Sequence, residues 1–596
     1  MKSAASRGGG DPVRLEIFRQ LFLSICEEMG LTLMRTGHSP NIKERRDYSC
    51  AVFDSAGRTI AQGDHMPVHL GSMPASVEAA LGAFAHGSGD RSRKDASGGR
   101  ARARGRPGGA LRRGDVVLLN DPFRGGTHLP DLTMVAPFFA GGRDARPLFY
   151  LANRAHHSDV GGMSAGSMPL ATEIWQEGLI LPPVRIVRSG KIEADLLNVL
   201  LANCRTPAER EGDLRAQLAS LRTGDARLRE ILRRFGRTEV TGAARRLQEY
   251  SRRSVEAMLR RIPAGTWSFE DRLDGDGTGR GHIRLAVTLT VRGGKAVVDL
   301  RRVAGQVEGG VNAVASITAS AVSYVFRCLL ETGIPGADRQ STGGSTDVPW
   351  NSGGMDPIRI LLARGSVLAA RAPAAVAGGN VETSQRVVDL LQGAFARALR
   401  GRIPAASQGT MNNVSLGGRW NGAPFAYYET VGGGMGAGPA GPGASGVHTH
   451  MTNSLNTPIE AIESALPIVV EATTLRRGSG GAGRHRGGDG TRRELRVLVP
   501  VSASLLTERR DSRPWGLEGG GPGAAGRNTL RRAGGALEPL PDKGNFLLEP
   551  GDHLVIETPG GGGWGGADPV RAARRRLRTG MESWPAGPGT PGRDPR

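Results

Sequence analysis

Two short segments constrain this chain most: Asn120-Asp121-Pro122-Phe123-Arg124-Gly125-Gly126-Thr127-His128-Leu129-Pro130-Asp131, and His156-His157-Ser158-Asp159-Val160-Gly161-Gly162. Each follows an apolar run, Asp115 to Leu119 and Pro147 to Ala152, that reads as a buried strand, so both emerge from strand ends. Together they carry three carboxylates (Asp121, Asp131, Asp159) and three imidazoles (His128, His156, His157) beside glycine-rich turns. Mixed imidazole and carboxylate sets of this kind hold divalent metals. His128 and Asp131 flank Leu129-Pro130, where a tight turn can point both side chains inward. A third ligand comes from His156 or His157. Adjacent strand side chains face opposite sides, so only one of the pair serves, with His156 preferred. The competing structural reading has Asp121, His128 and Asp131 capping turns and the histidine pair filling a polar corner of the core.

At 596 residues and 38% hydrophobic, the chain has room for one large core or for several domains. It contains no apolar run of about eighteen residues, and Met1 to Pro12 lack the apolar stretch of a signal peptide. A cytoplasmic protein with no membrane partner is expected. Cys26, Cys50, Cys204 and Cys328 show neither CxxC spacing nor a disulfide framework. The net charge of +21 would ordinarily raise nucleic acid as a partner. Much of the excess lies in 91–113 and in the tail, however, both rich in Gly, Ala, Pro and Arg and expected to be disordered. No aromatic-interleaved basic stripe or zinc-finger spacing accompanies the charge, which argues against specific nucleic-acid binding.

A first helix is predicted from Val13 to about Thr36, capped by Asp11 with Pro12 in the first turn. Tyr48 to Phe53 turns at Asp54-Ser55-Ala56-Gly57 into Thr59 to Ala61 as a hairpin. Ser76 to Ala85 reads as a helix. From Thr206 to about Arg261 two helices break near Gly236 and form a long arm, with a hairpin packed on the core favoured over a coiled-coil partner interface. Gly265 to Asp299 alternates as sheet, with Ile283, Leu285, Val287, Leu289 and Val291 on one face and His282 in a structural role. The expected fold is α+β, a large mixed multi-sheet fold with a helical hairpin arm and a glycine-rich, loop-rich C-terminal third. The expected division is a metal-site region over 11–200, the arm over 206–261, a β-rich glycine-dense region over 265–566, and a disordered tail over 567–596.

The glycine runs Gly432 to Gly443 and Gly560 to Gly566 make poor dinucleotide loops, and no GxxxxGK[ST] sequence exists, so ATP is not expected to bind by a Walker loop. Gly162-Met163-Ser164-Ala165-Gly166 matches the GxSxG nucleophile elbow of acyl hydrolases, but its surroundings are turn-like rather than strand-to-helix.

Several ordered motifs carry a resemblance: Arg35 to Cys50 (RTGHSPNIKERRDYSC), Gly63 to Met73 (GDHMPVHLGSM), Gly114 to Asp131, His156 to Gly162, Gln176-Glu177-Gly178-Leu179, Gly378 to Gln385 (GGNVETSQ) and Thr558 to Gly565 (TPGGGGWG). The chain resembles the hydantoinase B/oxoprolinase family, which takes in the B subunit of ATP-dependent N-methylhydantoinases, the C-terminal part of 5-oxoprolinases and the large subunit of acetone carboxylase. The resemblance implies a divalent metal (Mn, Zn or Fe) on His128, Asp131 and His156 or His157. It also implies an A-type partner subunit that binds ATP. The implied activity is opening of a hydantoin or lactam ring after activation by that partner. Asp121 and Asp159 are candidate catalytic residues, as a general base or as orienters of an imidazole, while His65, His69 and Glu177 are candidates for the substrate pocket. A carboxylase subunit of the acetone carboxylase kind and a noncatalytic scaffold are the alternatives.

Overall fold

The structure, a computed structural model, describes residues 11–84, 109–141, 144–332 and 348–566. Among these residues the strands form four sheets, of seven, four, four and five strands. The seven-stranded sheet positions the site. Its strands are β1 (Tyr48–Asp54), β2 (Thr59–Gln62), β3 (Val116–Leu119), β4 (Asp131–Phe138), β5 (Phe149–His156), β6 (Val184–Arg188) and β7 (Lys191–Ile192), in the order β2-β1-β5-β4-β3-β6-β7. Every neighbouring pair is antiparallel.

Both faces of this sheet are covered, which explains its near-continuous apolar strands. On one face the Ser72–Ala83 helix packs Met73, Val77 and Ala80 against Phe53, Val117, Val135 and Tyr150. On the other, Phe18, Phe22 and Met29 of the Pro12–Thr36 helix join Met134, Phe149 and Leu151 in the main core. Every residue of β5 is buried.

Local signals decide the element ends. Asp11 accepts the Val13 N–H at 3.0 Å and Pro12 occupies the first turn, where its missing donor costs nothing. The helix expected from Ser76 begins at Ser72 instead, because Pro74 falls within the first turn and is tolerated there. Its expected end at Ala85 lies outside the described residues. The Pro207–Phe235 and Arg237–Arg260 helices meet at Gly236, whose φ of +78° suits glycine. This hairpin lies along the Pro12–Thr36 helix, burying Leu214, Leu218, Leu221, Leu228, Leu247 and Val255.

In the four-stranded sheet that begins at Gly265, the alternating set Ile283 to Val291 points into the core, while His282 stands exposed beside Asp511. The last third stacks glycine backbone against glycine backbone. A Cβ on Gly561 would lie 2.1 Å from the Met435 carbonyl oxygen, and one on Gly434 would lie 2.2 Å from that of Gly488. These runs are glycine because the chains approach too closely for any side chain. No elbow forms around Ser164, which is preceded by bends and followed by a three-residue 3-10 turn, Ala165–Ser167. Of the stretch 91–113, only 109–113 is described, and there Leu111 is buried and Arg113 donates to the Phe139 and Gly141 carbonyls. The remainder and the tail 567–596 lie outside the described residues. No helix among the described residues is long and apolar enough to cross a membrane.

Candidate metal centre

Strands β4 and β5 run antiparallel with Asp131 paired to His156 and Thr133 to Arg154. Side chains directly opposite in such a pair share a face, so one carboxylate and one imidazole meet at the end of the ladder. His128 enters from the preceding loop. Asn120 Nδ2 donates to the Leu129 carbonyl at 2.8 Å and the His157 N–H donates to that of Pro130 at 2.9 Å, which pins the loop to the sheet.

His128 Nε2 lies 3.1 Å and His156 Nδ1 3.4 Å from Asp131 Oδ1. All three residues are buried, and one ligand atom from each falls within 4.8 Å of the others. Asp131 Oδ2 accepts from Thr127 Oγ1 at 2.6 Å and sits 3.5 Å from His69 Nε2, whose Nδ1 is 2.9 Å from Ser49 Oγ. Behind the carboxylate, Arg154 is fully buried with its guanidinium on Thr133, Ser72 and Ser76. The Tyr428 ring stacks on His156 at 4.6 Å between centroids and 18° between planes, with the Arg45 guanidinium 4.9 Å beyond it.

Burial works to raise the Asp131 carboxyl, but His128 beside it, with His156 and His69, more than reverses this and holds it well below the usual range. Burial also pushes His156 and His69 down. An ionised carboxylate beside imidazoles that burial holds neutral, as at His156 and His69, is the protonation state a cation requires.

The residues fit a divalent metal. The His128 ring, whose Nε2 stands 3.1 Å from Asp131 Oδ1, is buried with neither nitrogen in a well-formed hydrogen bond, and such an orphan costs on the order of 1–3 kcal/mol unless something occupies it. Ligand atoms about 2.1 Å from a tetrahedral ion lie about 3.4 Å apart, which the two contacts to Asp131 approach. Two nitrogens and one oxygen suit Zn, Mn or Fe alike.

The other expected residues separate. His157, one residue past His156, faces the opposite side of the sheet and meets Gln217 Oε1 at 3.0 Å, so it does not join the cluster. Asp159 is drawn off to Arg205, pairing with its guanidinium at 2.8 Å and its backbone N–H at 2.7 Å. Asp121 caps the turn Pro122–Arg124, accepting the Phe123 N–H at 3.0 Å. Neither aspartate joins the cluster: Asp121 is committed to its own turn and Asp159 to Arg205, 46 residues away. His65 packs 5.0 Å from the Tyr48 ring and 3.6 Å from Glu27, whereas His69 reaches Asp131 itself. Glu177 Oε1 accepts the Val376 and Ala377 N–H groups, tying two distant loops together. Thr127 stood inside the motif and could have been read as an orienter of Asp131. Arg154, two residues before His156 and on the same face of β5, could have been read from strand alternation, whereas Tyr428 carried no local signal, since it reaches the cluster from another sheet.

A model of the hydantoinase B/oxoprolinase family matches residues 11–567. The chain is 36% identical to 5-oxoprolinase 1 of Arabidopsis thaliana over 582 residues, covering 93% of this chain but 42% of that protein. It therefore spans less than half the length of that relative. It is 29% identical to caprolactamase subunit beta of Pseudomonas jessenii, covering 94% of this chain and 91% of that one. The crystal structure of the ATP-dependent caprolactamase from that organism superposes with a TM-score of 0.82 at 26% identity, over 96% of this chain and 95% of the other. A nucleotide-free acetone carboxylase structure shares the fold at a TM-score of 0.80 and 17% identity, over 96% of this chain and 78% of that one. With the family's pattern running through nearly all of its residues, the chain belongs to the hydantoinase B/oxoprolinase family.

Proposed function

We propose that this chain is the metal-bearing subunit of an ATP-dependent cyclic amide hydrolase, in which His128, Asp131 and His156 hold a divalent cation. The observation that carries this reading is the convergence of those three buried side chains, with imidazole nitrogens left unpaired, in a member of this family. A cation held there supplies Lewis acidity toward an amide carbonyl oxygen and toward water. The protein supplies the rest. Thr127 and His69 orient the Asp131 carboxylate, Arg154 balances its charge, and the Tyr428 ring closes one side of His156 against solvent.

Activation by ATP falls to a partner of the A type. The sequence has no Walker loop, and the relative that aligns end to end with this chain is named as a subunit of an enzyme whose structure is described as ATP-dependent. In the 5-oxoprolinases the length beyond the aligned part has room for the same function. Hydantoins and lactams are the substrate class this reading implies.

Elemental analysis of the purified protein beside His128→Ala, with hydantoin and 5-oxoproline turnover measured in the presence of ATP and the A-type partner, tests the proposal. Metal and turnover should disappear together in the variant. Turnover that survives loss of the metal would refute it.

A further inference from the structure

No well-formed hydrogen bond among the described residues orients the His156 ring. Its Nδ1 stands 3.4 Å from Asp131 Oδ1, and its Nε2 is buried without a partner. A ligating imidazole is ordinarily oriented by a hydrogen bond from its second nitrogen to a carboxylate, a carbonyl or water. Here the ring lies instead against Tyr428, with 18° between the planes and 4.6 Å between the centroids.

Tyr428 is itself fixed at both ends. Its carbonyl accepts from Arg45 Nη1 at 3.1 Å, and the Arg45 guanidinium, bonded also to Asn41 and Thr430, stands 4.9 Å over the ring. Its hydroxyl donates to Asn413 Oδ1 at 2.7 Å. Asn413 shares a face with Tyr428, because it lies two residues along its strand from Ser415, which pairs with Tyr428 across the antiparallel ladder. The Asn413 amide has one orientation open to it. Its Nδ2 donates at 2.7 Å to Glu382 Oε1 and at 2.8 Å to the Leu506 carbonyl, two acceptors, so Oδ1 turns to the tyrosine.

Glu382 is fully buried and belongs to the GGNVETSQ segment, in the wide π-helical turn Gly379–Thr383 that opens the Ser384–Ala398 helix. Turns of this kind gather at functional sites. The same Oε1 accepts the Met411 N–H at 2.9 Å, which fixes the carboxylate from a second side.

We propose that Glu382, Asn413 and Tyr428 form a positioning chain for His156, with the stacked tyrosine ring standing in for the hydrogen bond that the imidazole lacks. The proposal rests on the metal reading above. Two effects act through the stack. It holds the imidazole plane, so that the nitrogen aimed into the cluster does not swing away. It also favours the loaded state, because an imidazole bound to a cation carries more positive charge and the face of a phenol ring is negative. A hydroxyl that donates enriches its own ring, so the amide orientation that Glu382 helps to set reaches the imidazole through the phenol.

Competition for Zn2+ with a chelator of known affinity tests this, with urea unfolding of each metal-free protein beside it. Tyr428→Leu, which removes the ring, should weaken Zn2+ binding by about 10–100-fold. Tyr428→Phe keeps the ring and loses the bond to Asn413, and should weaken binding by roughly threefold to tenfold. Glu382→Leu should cost no more affinity than Tyr428→Phe, and nothing further when added to it, since its effect passes through the hydroxyl. The visible absorption bands of the Co2+-loaded protein should move in Tyr428→Leu, which a loss of packing remote from the ligands would not cause. Should Tyr428→Leu fail to fold, Tyr428→Phe and its double variant decide the matter. Unchanged affinity in the Tyr428 variants, or additive losses in the double variant, would overturn the chain alone. A wild-type protein that binds no Zn2+ would sink the metal reading, and the chain with it.

Discussion

Asp131 and His156 face each other across the last rung of β4 and β5, with Oδ1 and Nδ1 3.4 Å apart. The strand alternation that puts His156 there sends His157 to Gln217 on the far face. The two neighbours should therefore fail differently. His156→Ala is expected to lose bound metal, with a stability cost in the metal-free protein limited to the cavity it leaves against Tyr428. His157→Ala is expected to keep its metal and lose about 2 kcal/mol of stability through a cavity and an unpaired Gln217. Elemental analysis and urea unfolding of both variants make the comparison, and metal loss in His157→Ala alone would reverse the assignment.

Thr127 acts on the cluster only through the 2.6 Å bond from its hydroxyl to Asp131 Oδ2. Replacing it with the near-isosteric valine removes that bond and little volume. Thr127→Val should weaken metal affinity by about 10–100-fold, the usual effect of losing a group that orients a ligand. Competition with a chelator of known affinity reads this directly, and unchanged affinity would show that Asp131 is held by its strand alone.

Glu177 is pushed up to about 8 by burial, against the two backbone N–H groups that its Oε1 accepts. Its folded-state value thus lies above the ordinary 4.5 of the unfolded chain. The native protein holds a proton there that the unfolded chain has given up, so this contribution to stability is complete below about 4.5 and drains away as pH rises toward about 8. Glu177→Gln, which keeps the acceptor oxygen, should flatten that part of the stability profile. Urea unfolding at several pH values across the window would show an unaltered slope in the variant if Glu177 is ionised in the folded protein.

Ser164 sits in a GxSxG sequence but not in a strand-to-helix turn, and its hydroxyl has no hydrogen-bond partner among the described residues. Ser164→Ala should leave amide turnover within about twofold of wild type, since no base among the described residues bonds the hydroxyl to activate it. A loss of several orders of magnitude, or covalent labelling of Ser164 by an acylating inhibitor, would restore the serine-hydrolase reading.

Much of the frame was legible because its signals are local. Asp11-Pro12 marked the start of the first helix, Gly236 the break between the two long ones, and the period-two run from Ile283 to Val291 a half-buried strand. Pro74 misled because a proline in a first turn looks, in sequence, like one that ends a segment. Asp121 and Asp159, read as a general base or as orienters of an imidazole, have other partners in the fold: Asp121 accepts from the Phe123 N–H two residues on, while Asp159 is held by Arg205, 46 residues away.

By itself, the sequence of this protein determined that an imidazole and carboxylate set would emerge from the ends of buried strands, because strand periodicity and turn chemistry act over a few residues. Tertiary structure alone decided which histidine joined Asp131 and that Tyr428 would cover it. Those outcomes depend on the register between β4 and β5 and on the contact of one sheet with another, which bring together residues separated by tens to hundreds of positions and leave no trace in any short window of sequence.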